Sequence, residues 1–272
     1  MFLSMTMPKS SPKTLKWSKT SFVLLSGFLL LLFLIGYVWW PLLDEYLAQF
    51  NPEISIWLQI DWLLIGNFLV MSILIMLNAD LKRDLPFGII ALAGGFIIEA
   101  WGTLAGLWTY YTYETPPLWI IPAWPIAALS VNRLYVVSKA WVKYVSEAWF
   151  SVFYWLIYGV FYLLLLIFAW EGIAHPLTWF ALSFCGILII TEKDKRSSIL
   201  ILLMGSALGY FLERWGTSRL CWNYHTGGMP PFVTVLSHGM ASVAIWRVYL
   251  VYIALLKRSP LSLAKSIIPA DQ

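Results

Sequence analysis

GGFIIEAWGTLAGLWTYYTYETPP (residues 94–117) and LGYFLERWGTSRLCWNYHTGGMPP (residues 208–231) are two versions of one segment. Each sets a glutamate, Glu99 or Glu213, inside a run otherwise fit for a lipid bilayer. Read outward without a gap, residues 95–137 align with 209–251, and fourteen of the forty-three positions are identical. The identities include Trp101/Trp215, Gly102/Gly216, Thr103/Thr217, Trp108/Trp222, Tyr110/Tyr224, Arg133/Arg247 and Tyr135/Tyr249. Chance does not give this without gaps, even in a biased composition. The same shift lays the second expected helix over the sixth and the third over the seventh. A duplicated four-helix unit is expected, covering residues 1–137 and 138–272.

The rest of the chain agrees with a membrane setting. Of its 272 residues 60% are hydrophobic and 12% charged, with a mean hydropathy of +0.76. Apolar runs near the length of a bilayer-spanning helix recur, and the 17 Trp and 14 Tyr suit membrane–water interfaces. Spans are expected near 20–40, 56–78, 87–108, 118–137, 148–170, 175–191, 197–217 and 231–256. With the N-terminus inside, Lys9, Lys13, Lys16, Lys19, Lys82, Arg83, Lys139, Lys143, Lys193, Lys195, Arg196, Lys257, Arg258 and Lys265 fall on inner segments. The outer segments carry Asp44, Glu45, Glu53, Glu114 and Glu171, with Arg219 the one basic loop residue. That is the positive-inside pattern. The expected fold is an all-α integral membrane protein of eight transmembrane helices, arranged as two parallel four-helix repeats. It would lie in the cell membrane with both termini cytoplasmic. The first apolar run is too long for a signal peptide and lacks a small-residue cleavage site. The net charge of +4 is accounted for by topology, so no nucleic-acid partner is expected.

On a helix, Gly95, Glu99, Thr103, Gly106 and Tyr110 share one stripe. Gly209, Glu213, Thr217 and Tyr224 repeat it, with Leu220 in place of the second glycine. Trp101 and Trp108 fall on nearly the opposite face if the helix runs unbroken. The tyrosines are therefore expected to share a pocket with the glutamates in the outer half of the membrane, and Trp108 and Trp222 to form an aromatic belt. An acid at such depth is functional by default, although a glutamate clasp that only holds helices together is the structural alternative. Ala100 becomes Arg214 in the second copy. A neighbouring cation would keep Glu213 charged while Glu99 stays protonated, sorting the pair into base and acid. Arg214 could equally snorkel to the surface.

Other features carry less chemistry. Arg133 and Arg247 are expected to anchor helices at the interface, and Pro122 and Pro125 to kink the fourth helix. His175, His225 and His238 lack ligand spacing, as do Cys185 and Cys221, so no metal or other cofactor is expected. His175 aligns with Asp61, which leaves a contact between the halves open.

The run Glu99, Thr103, Gly106, Trp108, Tyr110 resembles the membrane lycopene cyclase domain, which also occurs as tandem helical repeats. The wider run through Pro116 and Pro122 is similar to carotenoid biosynthesis proteins that hydrate carotenoid ends. The Pro-x-Glu-Glu type motif of the cyclases is replaced here by PAWP (122–125) and LSHG (236–239). The resemblance thus implies a related isoprenoid-modifying activity. An enzyme of this kind would protonate an alkene of a lipid-soluble isoprenoid or carotenoid, for hydration or isomerisation. Glu99 and Glu213 would be catalytic, and Thr103, Thr217, Tyr110, Tyr224 and Arg214 would bind substrate. A proton-coupled small-molecule transporter and a non-catalytic lipid-binding or assembly protein are the competing expectations.

Overall fold

The computed structural model describes residues 17–142 and 144–258. Lys9, Lys13, Lys16, Lys143 and Lys265, on which the side assignment also drew, lie outside the described residues. The elements run α1 (Lys19–Val38), α2 (Trp40–Ala48), α3 (Ile56–Gln59), α4 (Trp62–Met76) and α5 (Leu81–Leu104), then β1 (Trp108–Tyr110). They continue with α6 (Ala123–Trp141), α7 (Glu147–Ala169), α8 (Pro176–Ile190), α9 (Lys195–Ser218), β2 (Trp222–Tyr224) and α10 (Phe232–Arg258). Five of these, α1, α5, α7, α9 and α10, are long and apolar enough to cross a membrane. Helices α4 and α8 are equally apolar but hold 15 residues each. Helix α6 is continuous, but Asn132, Arg133 and Lys139 interrupt its apolar character.

The short helices are cut by local chemistry. Asp61 caps α4 by accepting from the Leu64 N–H at 3.1 Å, and Asn78 with φ 49° breaks the chain beyond its end. His175 occupies the matching position before α8, where its Nδ1 accepts from the Leu177 N–H, and Pro176 supplies the first helical residue. Pro122 and Pro125 do not kink α6. They stand at its N-cap and first turn, where no helical N–H is needed. Helix α10 lacks both prolines and begins five positions earlier in the aligned register, at Phe232 rather than Ser237, the counterpart of Ala123.

Helices α9 and α10 pack closely through small residues. A Cβ on Gly239 would stand 2.3 Å from the Leu202 carbonyl oxygen, and one on Gly205 would stand 2.8 Å from the Gly239 Cα. At the end opposite the strands, Arg133 Nη2 reaches Asp84 Oδ2 at 2.6 Å, with both side chains buried. Arg247 Nη1 reaches Glu192 Oε2 at 2.8 Å. The two arginines thus pair with acidic side chains of α5 and of the α8–α9 turn, a role beyond the anchoring expected of them. Large apolar side chains such as Leu30, Phe33 and Ile190 point outward, as lipid-facing surfaces require.

Candidate functional site

Both glutamate helices stop one turn past the acid, and this stop builds the site. After α5 the Leu107 N–H bonds the Gly102 carbonyl and the Gly106 N–H bonds that of Thr103. After α9 the Cys221 and Leu220 N–H groups do the same with Gly216 and Thr217. These are Schellman ends, which demand a left-handed residue. Gly106 provides it at φ 70°, and Leu220 is held there at φ 57°. The expected stripe through Gly106 to Tyr110 does not form, because the chain reverses into β1 and β2. The strands pair antiparallel with Trp108 opposite Tyr224, Thr109 opposite Asn223 and Tyr110 opposite Trp222.

The reversal swings two indoles onto the acids. Trp108 Nε1 donates to Glu99 Oε2 at 3.0 Å, and Trp222 Nε1 donates to Glu213 Oε2 at 2.9 Å. Trp108 and Trp222 are thus partners of the buried carboxyls, not belt residues. Glycine makes the approach possible: a Cβ on Gly102 would lie 1.8 Å from the Trp108 ring, and one on Gly216 2.0 Å from the Trp222 ring. A second glycine, one turn before each acid, admits a ring from the next long helix. A Cβ on Gly95 would lie 2.2 Å from Trp124 of α6, and one on Gly209 2.5 Å from His238 of α10. Trp124 Nε1 donates to Glu99 Oε1 at 3.2 Å, and His238 Nε2 shares a hydrogen bond with Glu213 Oε1 at 2.7 Å. Tyr224 completes the second site by donating to Glu213 Oε1 at 2.7 Å.

The expected site residues divide as follows. Glu99 (5% exposed) and Glu213 (3% exposed) line one cavity of about 490 Å³, together with Tyr110, Tyr224, Trp124 and His238. The Trp124 and His238 rings stack across it at 5.8 Å. Thr103 and Thr217 do not line it, because each hydroxyl turns back to the carbonyl of its own glutamate, at 2.6 and 2.7 Å. Arg214 is exposed and donates to the Met229 carbonyl at 2.8 Å. It faces away from Glu213, so the cation expected beside that acid is replaced by an imidazole. Trp101 and Trp215 present their rings to the cavity but turn their nitrogens away, to Thr178 Oγ1 and Asp61 Oδ2. Thr178 belongs to α8 and Asp61 caps α4, so each motif helix reaches across to the opposite half of the chain. Asp61 also pairs with Arg219 at 2.9 Å. No contact joins Asp61 to His175 among the bonds described.

Two things escaped the sequence. His238 has no ligand spacing to mark it, yet it aligns with Trp124 and both follow an aligned glycine and acid. The indole partners were hidden by the helix stop. Chemically, an indole N–H only donates, so Trp108 and Trp124 hold both Glu99 oxygens as acceptors, with the Tyr110 hydroxyl bonded to the same carboxyl. Glu213 shares a hydrogen bond with a titratable ring. No Lys or Arg side chain lines the cavity, and among the described residues no group of three or more His, Cys, Asp or Glu could hold a metal. Compared with known proteins, the chain matches no family model, no curated protein and no solved structure.

Proposed function

We propose that the protein is a membrane enzyme that protonates an alkene of a lipid-soluble isoprenoid or carotenoid, with Glu213 and His238 handling the proton. The supporting observation is the Glu213–His238 pair opening on an otherwise apolar, aromatic-walled cavity. Glu213 in its acid form would deliver the proton as the new C–H bond takes the π pair. The carboxylate left behind would be held by the Trp222 N–H and the Tyr224 hydroxyl, and reprotonated through His238. The carbocation would face indole and phenol rings, whose electron-rich faces stabilise positive charge. Loss of a neighbouring proton through His238 to the Glu213 carboxylate then gives isomerisation, and addition of water, whose surplus proton takes the same route, gives hydration. In this reading Glu99 is a positioning group and not the proton donor.

Deuterium uptake tests it. Purified protein is incubated with a polyprenyl alkene in heavy water and the product is weighed by mass spectrometry. Wild type should incorporate deuterium, and Glu213→Gln and His238→Gln should each slow it about 100-fold or more, while Glu99→Gln should retain most of the rate. Wild type without incorporation, or equal losses from all three changes, would defeat the enzyme. A second reading, a lipid-binding or assembly protein with a glutamate clasp, draws on the complete hydrogen bonding of Glu99. A polyene or polyprenyl lipid that copurifies without exchanging deuterium would favour it.

We also infer the finer architecture: eight spans in two parallel four-helix repeats, residues 1–137 and 138–272, with both termini cytoplasmic. The matched glycine cradles and the pairing of β1 with β2 support this. Cysteine-accessibility mapping should find residues 109–117 and 218–230 on the same side, facing away from the termini.

A further inference from the structure

The cavity is not equally walled on all sides. Five of the side chains that line it are also exposed on the surface of the bundle: Ala93 and Ile97 of α5, Phe180 and Phe184 of α8, and Val248 of α10. Ile97 is 51% exposed and Phe180 57%, so these residues face the cavity and the surroundings at once. The lining residues from α1, α4, α6, α7 and α9 are all buried or half-buried. The wall is therefore open on one side, where α8 meets α5.

The repeat explains the difference. Where α4 meets α9, Asn67 Nδ2 donates to the Phe211 carbonyl at 3.2 Å. Helix α1 seals the same side by laying Phe28, Leu31 and Ile35, all buried, along the wall. The equivalent pair in α8 and α5 is Ala181 and Ile97. Alanine is shorter than asparagine and has no side-chain donor, so it cannot tie the two helices at that level. One turn nearer the strands the helices are joined, because Trp101 Nε1 reaches Thr178 Oγ1 at 3.1 Å.

The opening lies at the level of the acids. Ile97 precedes Glu99 by two residues, and the exposed wall continues to Ala93, about 6 Å further along α5. Phe96, Trp179 and Ile187, on the outer faces of the same helices, are exposed as well. A gap bounded by hydrocarbon inside and out would strip a polar solute of water without repayment, whereas an apolar chain passes at little cost.

We propose that the isoprenoid chain of the substrate enters and leaves the cavity sideways from the bilayer, through the gap between α5 and α8 framed by Ile97 and Ala181. This rests on the isoprenoid reading above, to which it adds the route and the residues that set the exchange rate.

The test follows tritiated geranylgeraniol on the detergent-purified full chain, first through association and then through dissociation into an excess of unlabelled alcohol. A narrowed route raises the barrier equally in both directions and leaves the end states alone. Ile97→Trp, which enlarges the rim, and Ala181→Asn, which supplies the donor found in α4, should each slow both rates about tenfold while Kd stays within about twofold. The retained affinity also shows that the variants are folded. Phe211→Trp changes the equivalent exposed position on α9, which does not line the cavity, and should leave both rates unchanged. Wild-type rates in both rim variants overturn the inference, as does equal slowing by Phe211→Trp. A loss of affinity in the rim variants without a matched fall in the two rates also overturns it. Each of these results leaves the isoprenoid reading standing. If wild type binds no geranylgeraniol, both fall.

Discussion

Replacing Gly102 by alanine should dislodge Trp108 from Glu99. The new methyl would lie 1.8 Å from the indole ring, whereas carbon atoms rest at about 3.5–4 Å. The rigid ring must therefore move by about 2 Å, which stretches its 3.0 Å bond to Glu99 beyond hydrogen-bonding range. Overpacking costs about 1–3 kcal/mol, and a buried acceptor deprived of its donor costs about 1–3 kcal/mol more. The gain in helix propensity from Gly to Ala returns about 1 kcal/mol. The net loss is about 3 kcal/mol, a fall of roughly 6–12 °C in the thermal midpoint for a chain of this size. Thermal denaturation of purified protein in detergent measures it. A double-mutant cycle isolates the cause. With Trp108→Phe the shorter ring no longer reaches the methyl, so Gly102→Ala should become nearly neutral, a coupling of about 2 kcal/mol. If Gly102→Ala costs the same in both backgrounds, the glycine is not there to admit the tryptophan and the reasoning fails.

Leu220→Gly should stabilise the protein by about 1 kcal/mol, because it relieves a side chain held at φ 57°; a thermal midpoint that falls would contradict the Schellman account. Arg133→Met should cost about 3–5 kcal/mol by stranding Asp84, and Asp84→Leu in the same chain should restore most of that; the stabilities of the single and double variants decide it. Burial alone would raise the Asp61 carboxyl, yet the bond from Arg219, the Leu64 N–H and the Trp215 indole hold it below its ordinary value. A depressed folded value adds stability that is present above the unfolded value, near pH 4, and lost as pH falls through the folded one. The stability difference between wild type and Asp61→Asn should therefore shrink below about pH 4, and a gap unchanged down to pH 2 would show that the charge contributes nothing.

What could be read in the chain was whatever depends on residue type and short-range period. The all-helical class with long apolar helices, the two buried acids and the two tyrosines that share their cavity follow from hydropathy and from a duplicated motif. What could not be read depends on where a helix stops. Residue spacing alone runs the α5 stripe through Gly106 to Tyr110, and the stop is masked in the second copy because Leu220 stands where a glycine would signal it. Once the chain reverses, Trp108 and Trp222 change from the far face to the nearest donors. His238 was missed because equivalence at that position lies in role: an indole and an imidazole both present a ring nitrogen to an acid, and identity counts do not see that. Arg214 misled for the opposite reason, since adjacency along a helix places two side chains about 100° apart and not in contact.

The pairing of β1 with β2 has a consequence for how such a molecule can exist at all. Trp108 meets Tyr224 as Trp222 meets Tyr110, the exchange of partners that a symmetric dimer makes with itself. Either half alone would present a buried strand edge with unanswered N–H and C=O groups, and the nearest remedy would be a second copy of the same half. The strand pair therefore acts as a clasp that makes the halves interdependent: cut between them, the pieces should be sound only in each other's company.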